Sequence, residues 1–300
     1  IETWKAAGLA LPVSVNIDAI HLEQADFVDR LRLQLSRHPG VAAGDLELEV
    51  LETSALQDIA HVSSVILACQ ELGVGFALDD FGTGYSSLTY LKRLPAGMLK
   101  IDQSFVRDML EDPDDLAILD GILGLANAFR RQAIAEGVET LAHGEVLLQL
   151  GCPLVQGYAI ARPMPAAAIP NWLATWRPDV AWFGRAPIKR ENMPILHAWV
   201  EHRAWIASVT GYLQGERSDV PPLDCRTSHL GQWLNHAQEH HAENAVQIQA
   251  LVPLHAEIHA LTATMVRSKQ LGQTDALSQQ MARFSSLCDQ QLLKLAAMLR

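Results

Sequence analysis

The amino-acid sequence predicts an α/β fold, a TIM-like barrel lacking its first strand units, followed by an all-α helical bundle. Three observations lead there. Up to about residue 165, short β-rich runs alternate with amphipathic helical patterns, and that repetition builds a mainly parallel sheet covered by helices. Polar residues stand at or near the C-terminal ends of six successive strand runs. A barrel gathers all its strand ends around one mouth, whereas an open sheet draws its site from the few ends where strand order reverses. Past residue 190 the β signal disappears.

Strands are expected at 11–17, 45–50, 74–79, 98–102, 132–136 and 153–158, with helices at 21–37, 55–71, 114–129 and 140–149 where apolar residues recur every three or four positions. The strand ends carry Asn16, Glu49, Asp79, Lys100 with Asp102, Glu136 and Gln156. Six strands fall short of eight-fold closure, so about two strand units are expected upstream of Ile1. Without them the barrel exposes an apolar interior and open edges. The barrel is read over residues 1–170 and a linker over 171–190, where Trp172, Trp176 and Trp182 sit among prolines. The bundle is read over 191–300, with helices at 191–213, 229–250, 251–267 and 274–299 and Pro253 in an early turn of the third.

Composition narrows the classes. With 49% hydrophobic and 19% charged residues the chain reads as a folded soluble protein. A formal net charge of −11 argues against a DNA- or RNA-binding surface, yet leaves room for a phosphate substrate where bound cations invert the local field. The four cysteines are widely spaced, without a Cys-x-x-Cys pair, which points to reduced, cytoplasmic chemistry. Every apolar run is broken within a dozen residues, so no membrane contact is expected from this segment.

The mouth of the barrel would collect Glu49, Asp79, Asp80 and Glu136, with Asn16 close by. Four ionised carboxylates in a small volume repel one another strongly, and divalent cations relieve that repulsion. An all-oxygen ligand set favours Mg²⁺ or Mn²⁺ over Zn²⁺. Two such ions suit hydrolysis of a phosphate ester, because together they neutralise charge at phosphorus. Lys100 adds a compact positive charge that can orient water or offset phosphoryl oxygen charge. In Asp80-Phe81-Gly82-Thr83-Gly84-Tyr85-Ser86-Ser87 the glycines permit a tight turn near a ligand, and the serines can cap the following helix.

These residues resemble the EAL-type c-di-GMP phosphodiesterase family over about residues 1–170, through SVNI at 14–17, ELEVLE at 47–52, DDFGTGYSSL at 79–88, LKID at 99–102, AEGVE at 135–139 and QGY at 156–158. The resemblance implies a modified TIM barrel that cleaves cyclic di-GMP to linear pGpG with two Mg²⁺ or Mn²⁺ ions. It implies metal ligation by Asn16, Glu49, Asp79, Asp80 and Glu136, with Lys100 positioning the catalytic water. Asp102, Glu139 and Gln156 are implied in the remaining metal and substrate shell. Glu52 is implied as the acid that steadies the loop after Asp80, and Phe81, Gly82, Thr83, Gly84 and Tyr85 as that loop, with influence on substrate access or dimerisation. A homodimer and an upstream sensory or diguanylate-cyclase-like domain are further implied partners. Leu51 departs from the family's usual Thr. The family's Glu-Ala-Leu strand belongs upstream of Ile1, so activity of these 300 residues is expected to depend on residues that precede them.

Eight of the twelve histidines lie between 197 and 259. His255 and His259, four apart, share a helix face and can reach one cation, and His202 can supply a third ligand. The region resembles the CZB family of zinc-binding helical bundles over roughly 195–268, with Ser228 where that family has Cys in its Cys-x-x-Gly-x-Trp motif. The resemblance implies Zn²⁺ on His202, His255 and His259, with Cys225 or His229 replacing the missing ligand or the site lost, and a regulatory role. The alternative is a structural docking or dimerisation bundle. For the barrel, the alternatives are a non-hydrolytic c-di-GMP receptor and an enzyme acting on another cyclic or linear dinucleotide.

Overall fold

A computed structural model describes residues 1–55, 58–84, 88–184, 187–240 and 245–299. They form two compact units, Ile1–Arg107 with Ile118–Pro187, and Asp108–Ala117 with Ile188–Arg300.

The first unit is built on six strands: β1 (Val13–Asn16), β2 (Leu46–Leu51), β3 (Gly75–Phe81), β4 (Met98–Ile101), β5 (Gln132–Ala135) and β6 (Leu154–Val155). All neighbours are parallel and the spatial order is the chain order. A doubly wound sheet reverses its strand order; this one never does, and it is a curled, open half of a TIM-like barrel. Alternation along the strands separates two faces. Leu48, Val50, Phe76, Leu78, Leu99 and Ile101 form the buried layer, while the opposite parity presents Asn16, Glu49, Asp79 and Lys100.

The helices that follow the strands form for local reasons. In α2 (Ile59–Glu71) the Asp58 side chain caps the first turn by accepting from His61 N–H at 3.0 Å, and Val62, Val65, Ile66 and Cys69 make the buried stripe. It packs against β3. Residues 21–37 do not form one helix. The chain turns at Gln24–Asp26, with Phe27 N–H donating to the Gln24 carbonyl at 3.0 Å, and α1 (Phe27–Arg37) starts anew by burying Phe27. The helices Pro113–Ala128 (α3) and Leu141–Gln149 (α4) lie within a residue of expectation. The last strand is shorter than expected, because the chain leaves the sheet at Gln156–Gly157, where the Gln156 carbonyl accepts from Val138 N–H at 3.0 Å. Within the linker, the Trp182 indole donates to the Leu141 carbonyl at 3.0 Å and lies against Gly144.

The second unit holds four long helices, α5 (Met193–Gln214), α6 (His229–His240), α7 (Ala245–Gln270) and α8 (Thr274–Met298). Gly215, at φ +87°, ends α5 in the left-handed conformation that glycine adopts without a Cβ penalty. Two apolar clusters hold the helices together, one around Ile195, Leu234, Leu251 and Leu295, the other around Val209, Ile258, Met265 and Phe284. The expected boundary at 250/251 is absent. Pro253 lies inside α7, exposed, while Ile248, Leu251, His255 and Ile258 carry one buried face straight across it. Burial of that face outweighs the hydrogen bond an internal proline forfeits, about 3 kcal/mol. Among the described residues no helix is long and apolar enough to cross a membrane, and all four cysteines are free thiols.

Candidate active site

The strand ends of the first unit converge because of one irregularity. Leu78 pairs with Leu99 but Phe81 pairs with Ile101, so β3 spends one residue more than β4 over the same length. The extra residue falls at Asp79-Asp80, and Asp80 takes φ +53°, a conformation Asp tolerates better than most residues. Strict alternation would send consecutive side chains to opposite faces; a bulge suspends it. Oxygens of Asp79, Asp80 and Glu136 consequently lie within 4.8 Å of one another.

Lys100 sits among these acids. Its Nζ donates to Glu49 Oε2 at 2.6 Å and Asp79 Oδ1 at 2.9 Å, and lies 2.7 Å from Glu136 Oε1. Only 5% of Lys100 is exposed, so this ammonium depends on its anionic neighbours. Burial alone would lower its pKa, but the hydrogen bonds to Glu136, Glu49 and Asp79 hold it above the ordinary lysine value. Lys100 is therefore held as a fixed cation. Glu136 titrates above the usual carboxylate range because burial outweighs the Lys100 contact. Asp80 is raised as well, by burial, by the charge of Asp79 and by a hydrogen bond with Asp102. Asp102 is itself held by Ser104, whose backbone N–H donates to it at 2.8 Å. Sequence reading missed Ser104, although Asp-x-Ser at a helix start is a recognisable capping signal.

One lysine does not neutralise this many acids, and the residues fit a divalent cation. The donor set is all oxygen, as Mg²⁺ and Mn²⁺ prefer. Two of the carboxyls are raised, first by burial and then by neighbouring acids, so both disfavour the bare anion. Asn16 faces the same acids, its amide nitrogen donating to Asp79 Oδ2 and Glu49 Oε2, each at 3.2 Å.

Residues 1–163 match the EAL domain family. The chain belongs to the EAL domain family. It is 47% identical over 155 residues to MucR of Pseudomonas aeruginosa, a bifunctional diguanylate cyclase/cyclic di-GMP phosphodiesterase, a match that covers 51% of this chain and 22% of MucR. The structure of the PaMucR phosphodiesterase in complex with c-di-GMP aligns at a TM-score of 0.54 and 42% identity, over 56% of this chain and 68% of that one. The EAL domain of Mycobacterium smegmatis DcpA aligns at 0.56 and 35% identity, over 59% and 80%. The chain spans less than a third of the length of the curated relatives it matches.

In this EAL domain the loop after β3 is held from beneath. Glu52, 1% exposed at the end of β2, accepts the Gly82 N–H at 2.8 Å. Gly82 has φ +104°, and a Cβ there would fall 2.8 Å from Ile122 and 2.9 Å from Phe105. A Cβ on Gly84 would fall 2.7 Å from Glu52 Oε1. Thr83 Oγ1 donates to the Asp80 carbonyl at 2.9 Å, and Phe81 is buried, anchoring the loop and not facing solvent. Tyr85, Ser86 and Ser87 lie outside the described residues. Glu139 and Gln156 are exposed, beyond the ends of β5 and β6. The Glu139 N–H points to His143 Nδ1 at 3.4 Å, and Gln156 is held through its backbone, donating to the Ala135 carbonyl at 2.8 Å.

The EAL match ends at residue 163, ahead of the four long helices, where His202, His255 and His259 are each 3% exposed. Ring centroids lie 5.7 Å apart for His202–His255 and 4.5 Å for His255–His259, and Trp205 stacks on both His202 and His259. His255 Nε2 contacts Ser228 Oγ at 3.0 Å, and His259 Nδ1 contacts the Leu223 carbonyl at 3.1 Å. The remaining Nε2 atoms of His202 and His259 are buried without a partner. Burial pushes His202 down to about 3 and His255 to about 4. The ligating atoms of the three do not all fall within 4.8 Å of one another, a separation only the acidic triad meets among the described residues. Cys225 contributes its carbonyl near His255. His229 opens α6, and its side chain and all of His241 lie outside the described parts.

Proposed function

We propose that the first unit hydrolyses cyclic di-GMP to linear pGpG with Mg²⁺ or Mn²⁺, and that the second unit regulates it. The observation that carries this reading is Lys100 Nζ within 2.9 Å of three carboxylates while Asp79, Asp80 and Glu136 bring oxygens within 4.8 Å. A receptor that only binds has no need of so costly a cluster of acids. The names of the relatives, two of them cyclic di-GMP phosphodiesterases, support the substrate.

In the reaction, water adds to one phosphorus and the bond from that phosphorus to its 3′-oxygen breaks, leaving a 5′-phosphate and a 3′-hydroxyl that takes up a proton. Asn16, Glu49, Asp79, Asp80 and Glu136 would hold two divalent cations, whose chemistry there is to offset phosphoryl charge and acidify water. Lys100, fixed by Glu49 and Asp79, presents an ammonium to the oxygen on which charge accumulates, without reorganising during the step. Asp102 orients Asp80, and Glu52 keeps the Gly82 loop at one height. The test is the nucleotide product of this chain with and without Mn²⁺. Production of pGpG that Asp79→Asn abolishes supports the reading. Binding without turnover selects the receptor, and turnover of a different dinucleotide moves the substrate.

A second reading concerns the bundle: we infer a zinc site at His202, His255 and His259 with Ser228 as neighbour. Its support is the pair of buried, unpartnered imidazole nitrogens, which burial alone would disfavour. Tetrahedral ligand nitrogens stand about 3.3 Å apart, so the three rings must draw closer on binding. Protein purified without chelator should carry about one equivalent of zinc; metal-free protein that gains none on addition returns the bundle to a structural role.

A further inference from the structure

We propose that Tyr158, braced by Arg162, is the platform on which a purine base of the substrate stacks; this rests on the cyclic dinucleotide reading above. Tyr158 is three residues beyond β6 and 52% exposed. A half-exposed tyrosine offers a flat apolar face with a polar tip, the kind of surface on which a base can stack. Its backbone is not free to wander. Gln156 N–H donates to the Ala135 carbonyl at 2.8 Å, Val138 N–H to the Gln156 carbonyl at 3.0 Å, and Ala159 N–H to the Val138 carbonyl at 2.9 Å. Gly157 makes this clasp feasible, since a Cβ there would collide with the Val138 backbone. The segment carrying Tyr158 is thereby bonded on both sides to the segment that carries Glu136.

The chain then turns, with Ile160 and Ala161 N–H both directed at the Gly157 carbonyl. The turn returns Arg162 over Tyr158, its guanidinium carbon 4.4 Å from the ring centroid. A cation thus lies over the phenol, and the residue remains half exposed. A cation on one face also fixes the ring angle and leaves positive charge close to a ligand that carries two phosphates. Stacking of a base on an exposed aromatic is sequence-tolerant, so the ring adds affinity for nucleobases as a class.

The experiment separates base recognition from phosphodiester chemistry. Wild type, Tyr158→Ala, Tyr158→Phe and Arg162→Ala are assayed with Mn²⁺ on cyclic di-GMP and on bis(p-nitrophenyl) phosphate, which has no purine, and their cyclic di-GMP affinity is measured in Ca²⁺. Tyr158→Ala should raise KM and Kd for the dinucleotide about tenfold, change kcat less than twofold and leave the base-free substrate untouched. Tyr158→Phe should behave as wild type, and Arg162→Ala should fall between. Unchanged KM and Kd in Tyr158→Ala, or an equal loss on both substrates, overturns the platform. Should wild type bind without hydrolysing, the phosphodiesterase reading fails alone and Kd decides Tyr158; absence of binding ends both.

Discussion

Lys100 Nζ stands 2.7 Å from Glu136 Oε1, a buried ion pair in which the lysine is shared with two further acids. Removing one partner of such a group costs more than the pair contributes, because the remaining charges lose their counter-ion. Replacing Lys100 by Met should therefore lower kcat about 10²–10³-fold, as loss of a preorganised charge stabiliser does. Affinity for Mn²⁺ should not weaken, since Glu49, Asp79 and Glu136 would turn to the cation. Turnover and calorimetric Mn²⁺ titration of the same preparation check both halves; a variant that loses Mn²⁺ affinity assigns Lys100 to scaffolding.

Glu52 and the Gly82 N–H make the second test. Glu52→Ala strands a part-buried donor, a loss of about 1–3 kcal/mol, and should lower Tm by several degrees. Gly82→Ala should cost at least as much, because φ +104° and the approach of Ile122 and Phe105 both oppose a Cβ. Thermal unfolding followed by circular dichroism reads each, and wild-type Tm in Glu52→Ala would remove the brace from the account.

How much of this was legible beforehand depended on whether spacing or register carried the information. The acids at strand ends were readable, because period two in Leu46–Leu51 and Gly75–Phe81 assigns faces without knowledge of the partners. The bulge was not, since it is a property of β3 against β4, and no residue within either strand marks where the register slips. The Asp80–Asp102 hydrogen bond depends on that slip. In the bundle, a helix boundary is expected at 250/251, just ahead of Pro253, although the buried stripe runs through it. The period of apolar residues there was the better signal than the single breaker.

The histidines give a pH test in chelator-treated protein. His202 and His255 are depressed to about 3 and about 4 from an ordinary 6.5, mainly by burial. Both are neutral in the folded unit, so nothing is lost above pH 6.5. As pH falls below 6.5 the unfolded chain binds protons that the folded one refuses, and stability declines until the folded values are reached. By pH 4.5 the loss is on the order of 2–3 kcal/mol for each histidine. Urea unfolding monitored by tryptophan fluorescence should show the decline, with Trp205 stacked on the cluster as a local reporter. His202→Leu should flatten the slope, and zinc, if bound, should hold stability down to lower pH.

Asp80 offers a prediction with opposite signs in two measurements. Its carboxylate is disfavoured by burial and by the charge of Asp79 when no cation is present. Asp80→Asn removes that charge, keeps the tolerance for positive φ and can still hydrogen-bond Asp102. The metal-free variant should therefore unfold at a higher temperature than wild type. Its affinity for Mn²⁺ should drop at least tenfold, because one anionic ligand is gone. In excess Mn²⁺ the order of stabilities should reverse, as only wild type gains the full binding free energy. A variant less stable than wild type without metal would mean that the Asp80 charge is already balanced within the protein, and the electrostatic case for a cation at this site would lose its basis.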